Sequence, residues 1–151
     1  MRADDPLLNI PKLANRPLYA WLVQFPAACF TGALLTDVVY LKSPDYLWET
    51  FSVWLLAIGC MLAAIAGVVG LAYFCRDREL RSGALAWPHA LLSLFAAVLS
   101  VFNAFVHSRD GYTAVVPEGL TLSAIVVGLM IVITWMGWPR AMRAGRTGAA
   151  A

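Results

Sequence analysis

The chain has 151 residues, of which 61% are hydrophobic and 13% are charged, and its formal net charge is +2. Because a typical soluble domain is about 25% charged, this composition excludes an ordinary soluble enzyme or binding module. A net charge this small does not indicate a nucleic-acid-binding surface, and nucleic acid is not expected as a partner.

Four stretches without any Asp, Glu, Lys or Arg set the organisation of the chain: residues 17–36, 50–75, 82–108 and 119–139. A helix of roughly 20 residues crosses about 30 Å of hydrocarbon and satisfies its own backbone hydrogen bonds. We therefore predict an all-α, integral membrane, up-and-down four-helix bundle over residues 17–139. Its spans are predicted at about 18–40, 51–74, 86–107 and 119–138, between an N-terminal tail (1–16) and a C-terminal tail (140–151).

The Lys and Arg residues predict the orientation of this bundle. Nine of the eleven lie in the two tails and in the loop between the second and third spans, whereas Lys42 and Arg109 occupy the other two loops. Since Lys and Arg concentrate on the cytoplasmic side, both termini are predicted to be cytoplasmic. The lipid bilayer is then a partner along the whole bundle.

The first span contains three polar residues of interest. Gln24 and Thr31 lie about 20° apart on a helical wheel and so share one face. Asp37 is an acid at the edge of the membrane, a type of residue that can serve in an ion relay. Its position close to Tyr40 and the end of the span favours instead an interfacial cap or an ion pair with Arg109.

The second span contains small residues at a spacing that allows close approach of two membrane helices. This predicted packing face comprises Gly59, Ala63, Gly67 and Gly70. The partner helix could belong to the same chain or to another subunit, so self-association stays open. The three cysteines have no spacing that predicts a disulfide or a metal site.

The third span places its polar residues on one helical face, which must point inward because polar groups facing lipid are costly. With the two polar residues of the first span they form a predicted polar seam: Gln24, Thr31, His89, Ser93, Ser100, Asn103 and His107. Interhelical hydrogen bonds of this kind contribute about 0.6 kcal/mol on average. Helix packing is the favoured interpretation of the seam.

Haem ligation is the alternative interpretation, because inward histidines of helical bundles can bind haem iron. His89 and His107 are eighteen residues apart, which is about 27 Å along a helix, so they cannot share one iron. His107 is expected at the wet interface, which leaves His89 as the candidate ligand. Gln24 would reach His89 if the first and third spans are neighbours. The sequence favours no cofactor and no metal, with haem b as the alternative.

Four segments stand in a recognisable order: RPLYAWLVQFPAACFTGALLTD, AAIAGVVG, PHALLS and VPEGLTLSAI followed by WMG. Together, over residues 16–145, they resemble a bacterial four-helix membrane family catalogued as domain of unknown function 2231. Members of that family usually carry three histidines at the start of the first helix, where this chain has Arg16, Tyr19 and Gln24. The resemblance implies the bacterial inner membrane and a respiratory setting.

These observations predict a non-catalytic subunit, a scaffold, anchor or accessory protein, of a larger inner-membrane assembly. A respiratory or other electron-transfer complex is the favoured class, and its other membrane or periplasmic subunits are the expected partners. The alternative is a b-type haem or quinone-handling electron carrier that uses His89 with Gln24 nearby. No enzymatic activity is expected, because the loops are too short for a separate catalytic domain.

Overall fold

A computed structural model describes residues 17–109 and 115–148, and within that part every regular element is a helix. Four of the helices are long and apolar enough to cross a membrane. This confirms the predicted all-α, four-helix architecture. In chain order the helices are α1 (Pro17–Lys42), α2 (Tyr46–Arg76), the short α3 (Arg78–Ser82), α4 (Ala86–His107) and α5 (Glu118–Gly148).

Local capping groups explain where α2 begins and ends. The side chain of Asp45 accepts a hydrogen bond of 2.9 Å from the backbone N–H of Leu47, so the helix starts at Tyr46, before the purely apolar run. At the other end, the guanidinium of Arg81 donates to the carbonyl oxygens of Phe74 and Cys75. These carbonyls have no partner in the last turn of a helix, and Arg81 therefore holds the α2–α4 connection against the end of α2.

The last helix is longer than the predicted span. It runs through Gly148, so residues 140–148 of the predicted C-terminal tail continue it. The predicted N-terminal tail, residues 1–16, and residues 149–151 lie outside the described part of the chain.

The four long helices form a ring in which each packs against two others. α1 and α4 both contact α2 and α5, and they face each other across the bundle axis. Helices that follow one another in this way build an up-and-down bundle. The apolar core sits where α1, α2 and α5 meet, around Phe30, Ala33, Leu56 and Val126.

The small residues of α2 settle which helix they pack against. A Cβ atom on Gly59 would lie 2.7 Å from Cε1 of Phe30, and one on Gly70 would lie 2.8 Å from Cε2 of Tyr19. Both glycines therefore let α1 of the same chain approach closely. Ala63 packs against the core.

Gly67 does not take part in this contact with α1, and its packing against another subunit stays a prediction. It is exposed, and nothing lies within 4 Å of a Cβ atom placed on it. At about 100° per residue, a four-residue step rotates by about 40°, so Gly67 is about 80° from Gly59. Gly70 returns to within about 20° of Gly59 and regains the contact.

Candidate functional site

A buried carboxylate joins all four long helices. Asp37 of α1 has no exposed surface. Its Oδ1 accepts a hydrogen bond of 2.5 Å from the hydroxyl of Ser52 on α2 and lies 3.0 Å from Nε2 of His107 on α4. Its Oδ2 accepts a hydrogen bond of 2.6 Å from the hydroxyl of Ser123 on α5. With Asn103, which bonds to Ser123, these residues form what we term the Asp37 cluster: Asp37, Ser52, Asn103, His107 and Ser123.

The helical repeat explains why the carboxylate points inward. Phe30, Ala33, Asp37 and Tyr40 are all buried, and their spacing of three or four residues defines the inner face of α1. Asp37 therefore continues the same stripe that supplies the apolar core. An acid on this stripe must be paired inside the bundle, because an unpaired buried charge is very costly.

The cluster lies at one end of the bundle. Asp37 is five residues before the end of α1, and His107 is the last residue of α4. Ser52 and Ser123 lie in the second turns of the helices that follow. At about 1.5 Å of rise per residue, all of these positions are within about 10 Å of their helix ends.

Further hydrogen bonds tie the cluster together. Nδ2 of Asn103 donates to the hydroxyl of Ser123 over 2.9 Å, and Nδ1 of His107 lies 3.1 Å from the backbone oxygen of Asn103. The hydroxyls of Thr36 and Ser52 are 2.7 Å apart. Within the described residues, one buried side-chain atom has no partner: Oδ1 of Asn103.

Serine, histidine and aspartate meet here without forming a nucleophilic triad. In such a triad the serine hydroxyl bonds to the imidazole, which takes its proton. Here the hydroxyls of Ser52 and Ser123 both donate to the carboxylate instead. Each residue of the cluster is at most 2% exposed. The geometry is that of a junction between helices, where neither hydroxyl is activated by a base.

The predicted environment of Asp37 and His107 is wrong. Arg109 does not pair with Asp37; its guanidinium lies 3.0 Å from Glu118, and both side chains are largely exposed. His107 is 1% exposed rather than wet. The physical reason is that Asp37 and His107 lie on the inner faces of diagonally opposed helices at the same depth. Each is the partner that the other requires.

Ser52 and Ser123 were not predicted from the sequence as site residues. Each is a polar residue within an otherwise apolar run, two turns from the start of its span. In an up-and-down bundle, α2 and α5 begin at the end of the bundle where α1 and α4 finish. Asp37 lies near the end of α1, so the two serines lie at about its depth. This depth match was the available signal.

The α4 part of the polar seam divides into two groups. Ser93 and Ser100 donate to carbonyl oxygens of their own helix, at His89 and Ala96, both over 2.8 Å. Asn103 and His107, in contrast, reach α5 and α1. The ring of His89 is partly buried and makes no hydrogen bond within the described residues.

The α1 part of the seam faces outward. Gln24 and Thr31 are exposed, about 100° or more around the helix from Phe30 on the inner face. The condition for a Gln24–His89 hydrogen bond is not met, because α1 and α4 are not neighbours and Gln24 is exposed on the outer side of α1. Gln24 and His89 therefore do not face a common site between the helices.

Shallow grooves run between neighbouring helices in the described part of the chain. One, of about 330 Å³, lies between α1 and α5 and includes Thr31, Thr134 and Trp135 in its walls. Another lies between α2 and α4 and is lined by apolar side chains and Cys60. Within the described residues, no three His, Cys, Asp or Glu side chains group as a metal site would require.

Comparison with known proteins identifies a family for this chain. No curated protein and no solved structure matches this chain. One family model, described as predicted membrane protein (DUF2231), matches residues 15–149. That range takes in all four long helices and every residue of the Asp37 cluster. The chain therefore belongs to the DUF2231 family of predicted membrane proteins.

Proposed function

We propose that this protein is a non-catalytic integral membrane subunit that binds other subunits of a larger assembly through the outer face of α1. The observation that carries the proposal is the position of Gln24. Its amide side chain is exposed within a membrane-spanning helix and makes no hydrogen bond in the described part of the chain.

An amide facing hydrocarbon needs a partner. Gln24 lies five residues beyond Tyr19, where the span begins, so it is about 7.5 Å into the helix. Lipid tails offer no donor or acceptor, and polar side chains in membranes therefore bond to neighbouring helices. Within the bundle, the inner face of α1 is occupied by other residues. A helix of another subunit is the remaining source of such a bond.

The groove between α1 and α5 extends this outer face. Thr31 lies two turns beyond Gln24 on the same face and forms part of the groove wall, opposite Thr134 of α5. The hydroxyl of Thr134 donates to the carbonyl oxygen of Met130 in its own helix, which leaves it able to accept a bond. A transmembrane helix seated along the groove would contact all three polar residues.

The interior supports a structural role. The carboxylate of Asp37 is bound by the imidazole of His107 and by the hydroxyls of two serines. A buried pair used in this way holds helices in register. The class of assembly, a respiratory or other electron-transfer complex of the bacterial inner membrane, rests on the family resemblance. The placement of both termini in the cytoplasm rests on the Lys and Arg distribution.

Site-specific photocrosslinking in intact cells tests the proposal. A photoreactive residue at Gln24 should give a covalent adduct with a different polypeptide, to be identified by mass spectrometry. The same residue at Val68, which is 70% exposed on α2, serves as the matched control and should give no such adduct. Adducts at both positions or at neither would contradict the proposal. An adduct containing only a second copy of this chain would replace it with self-association.

A further inference from the structure

We propose that Asp37 and His107 together form a buried binding site for one exchangeable proton. The inference rests on hydrogen-bond geometry within the Asp37 cluster and is independent of the proposed subunit role.

Nδ1 of His107 lies 3.1 Å from the backbone oxygen of Asn103. A carbonyl oxygen can only accept, so Nδ1 must carry a hydrogen for this contact to be favourable. The second ring nitrogen is then the one that can bind or release a proton.

The other ring nitrogen contacts the carboxylate, with Nε2 of His107 3.0 Å from Oδ1 of Asp37. If neither atom carried a hydrogen, two lone pairs would face each other at hydrogen-bonding distance. One proton must lie between them, on the imidazole or on the carboxyl group.

The neighbouring hydroxyls cannot supply that proton. The hydroxyl of Ser123 accepts from Asn103 and donates its only hydrogen to Oδ2 of Asp37. The hydroxyl of Ser52 donates its only hydrogen to Oδ1. Because both hydrogens are committed to the carboxylate, the proton between Oδ1 and Nε2 has to come from solution.

The charge balance of the pair also requires this proton. With the proton, Asp37 and His107 are neutral as a pair, either as carboxylate and imidazolium or as carboxylic acid and imidazole. Without it, the pair carries a charge of −1 at a position where neither side chain is exposed. Burying a single uncompensated charge is strongly unfavourable.

Other titratable groups near this end of the bundle are placed differently. Tyr40 is buried one turn beyond Asp37 on α1, and Glu49 of α2 is partly buried one turn before Ser52. Lys42 and Asp45 are exposed. On the α4–α5 side, Arg109 and Glu118 pair with each other at the surface. The proton therefore lies between Asp37 and His107.

The position of the site gives the proton a structural effect. Proton release removes the hydrogen bond between Oδ1 of Asp37 and Nε2 of His107, which joins α1 to α4, whereas the serines of α2 and α5 still donate to the carboxylate. The site is within about 10 Å of the helix ends, so exchange takes place with the solution on that side of the membrane. Oδ1 of Asn103, buried and without a donor in the described residues, offers an acceptor for a water molecule at the edge of the cluster.

Nuclear magnetic resonance of His107 provides the test. The chain has two histidines, so a His89→Gln variant labelled with ¹⁵N-histidine reports on His107 alone. In lipid nanodiscs at pH 7.5, we expect both ring nitrogens to be protonated. One protonated nitrogen, together with an infrared carboxylic-acid band that disappears in Asp37→Asn, would support the same site with the proton on Asp37. One protonated nitrogen without that band would overturn the proposal.

Two further variants, made in the His89→Gln background, act as controls. Asp37→Asn should leave His107 with a single protonated ring nitrogen at the same pH, and retention of two would show that Asp37 does not share the proton. Ser100→Ala removes a buried hydroxyl that bonds only within α4 and should not alter the spectrum. If Asp37→Asn fails to fold, the His89→Gln protein with an intact cluster still decides the outcome.

Discussion

The two histidines of α4 lie on the same helical face and have different environments. His107, at one end of the helix, is buried, and both of its ring nitrogens have partners. His89, near the other end, is partly buried, and its ring makes no hydrogen bond within the described residues. The difference comes from the helix across the axis, which offers a carboxylate at the depth of His107 and turns Gln24 away from His89. A polar residue in a membrane helix therefore gains its role from what lies at the same depth on the other helices.

Removal of the carboxylate should have the largest effect at the His107 end. Asp37→Ala leaves an imidazole and two hydroxyls buried without their acceptor. Breaking one side of a buried pair typically lowers the free energy of unfolding by about 3–5 kcal/mol. Denaturation with sodium dodecyl sulfate in mixed micelles, followed by circular dichroism, measures this loss.

Ala66→Gly is a suitable control for that measurement, because Ala66 is buried in α2 outside the cluster. It removes one methyl group and should lower stability by only about 1 kcal/mol through helix propensity. A loss for Asp37→Ala no greater than that of this control would show that the cluster does not hold the bundle together.

A smaller effect should separate the buried serines. The hydroxyl of Ser52 bonds to a carboxylate on another helix, whereas that of Ser100 bonds to its own backbone. Hydrogen bonds to charged groups contribute about 1.5–3 kcal/mol, so Ser52→Ala should lose that much stability. Ser100→Ala should change it by less than about 0.5 kcal/mol, because no interhelical bond is lost. Equal losses in the same unfolding assay would contradict the assignment of these two bonds.

The fold could be predicted from the sequence because it depends on one strong signal. Uncharged runs of 20 residues or more leave few alternatives to membrane helices. The inward direction of the end of α4 follows from its own polar stripe in the same way. The order of the helices around the bundle and the rotation of each helix depend on packing between segments. The charge-free runs carry no information about that packing.

The site was predicted less well, and α1 shows why. Gln24 and Thr31 form a polar stripe, but the inner face of α1 carries Phe30, Ala33 and Asp37. The predicted seam placed this polar stripe on the inner face, on the expectation that polar residues always turn away from lipid. A single buried acid, which has the larger desolvation cost, outweighs an amide and a hydroxyl when the rotation of a helix is decided.

The smallest effect is expected at the other histidine. His89→Leu replaces a partly buried ring that makes no hydrogen bond within the described residues, so the free energy of unfolding should change by no more than about 0.5 kcal/mol. The same variant tests the haem alternative, for which an absorption spectrum of the purified protein is the measurement. A Soret band present in the unaltered protein and lost in His89→Leu would assign His89 to a cofactor. A stability loss as large as that of Asp37→Ala would show that both ends of α4 are held by polar contacts. The contacts of the two histidines would then be alike. A partner at the same depth across the bundle axis would not explain any difference between them.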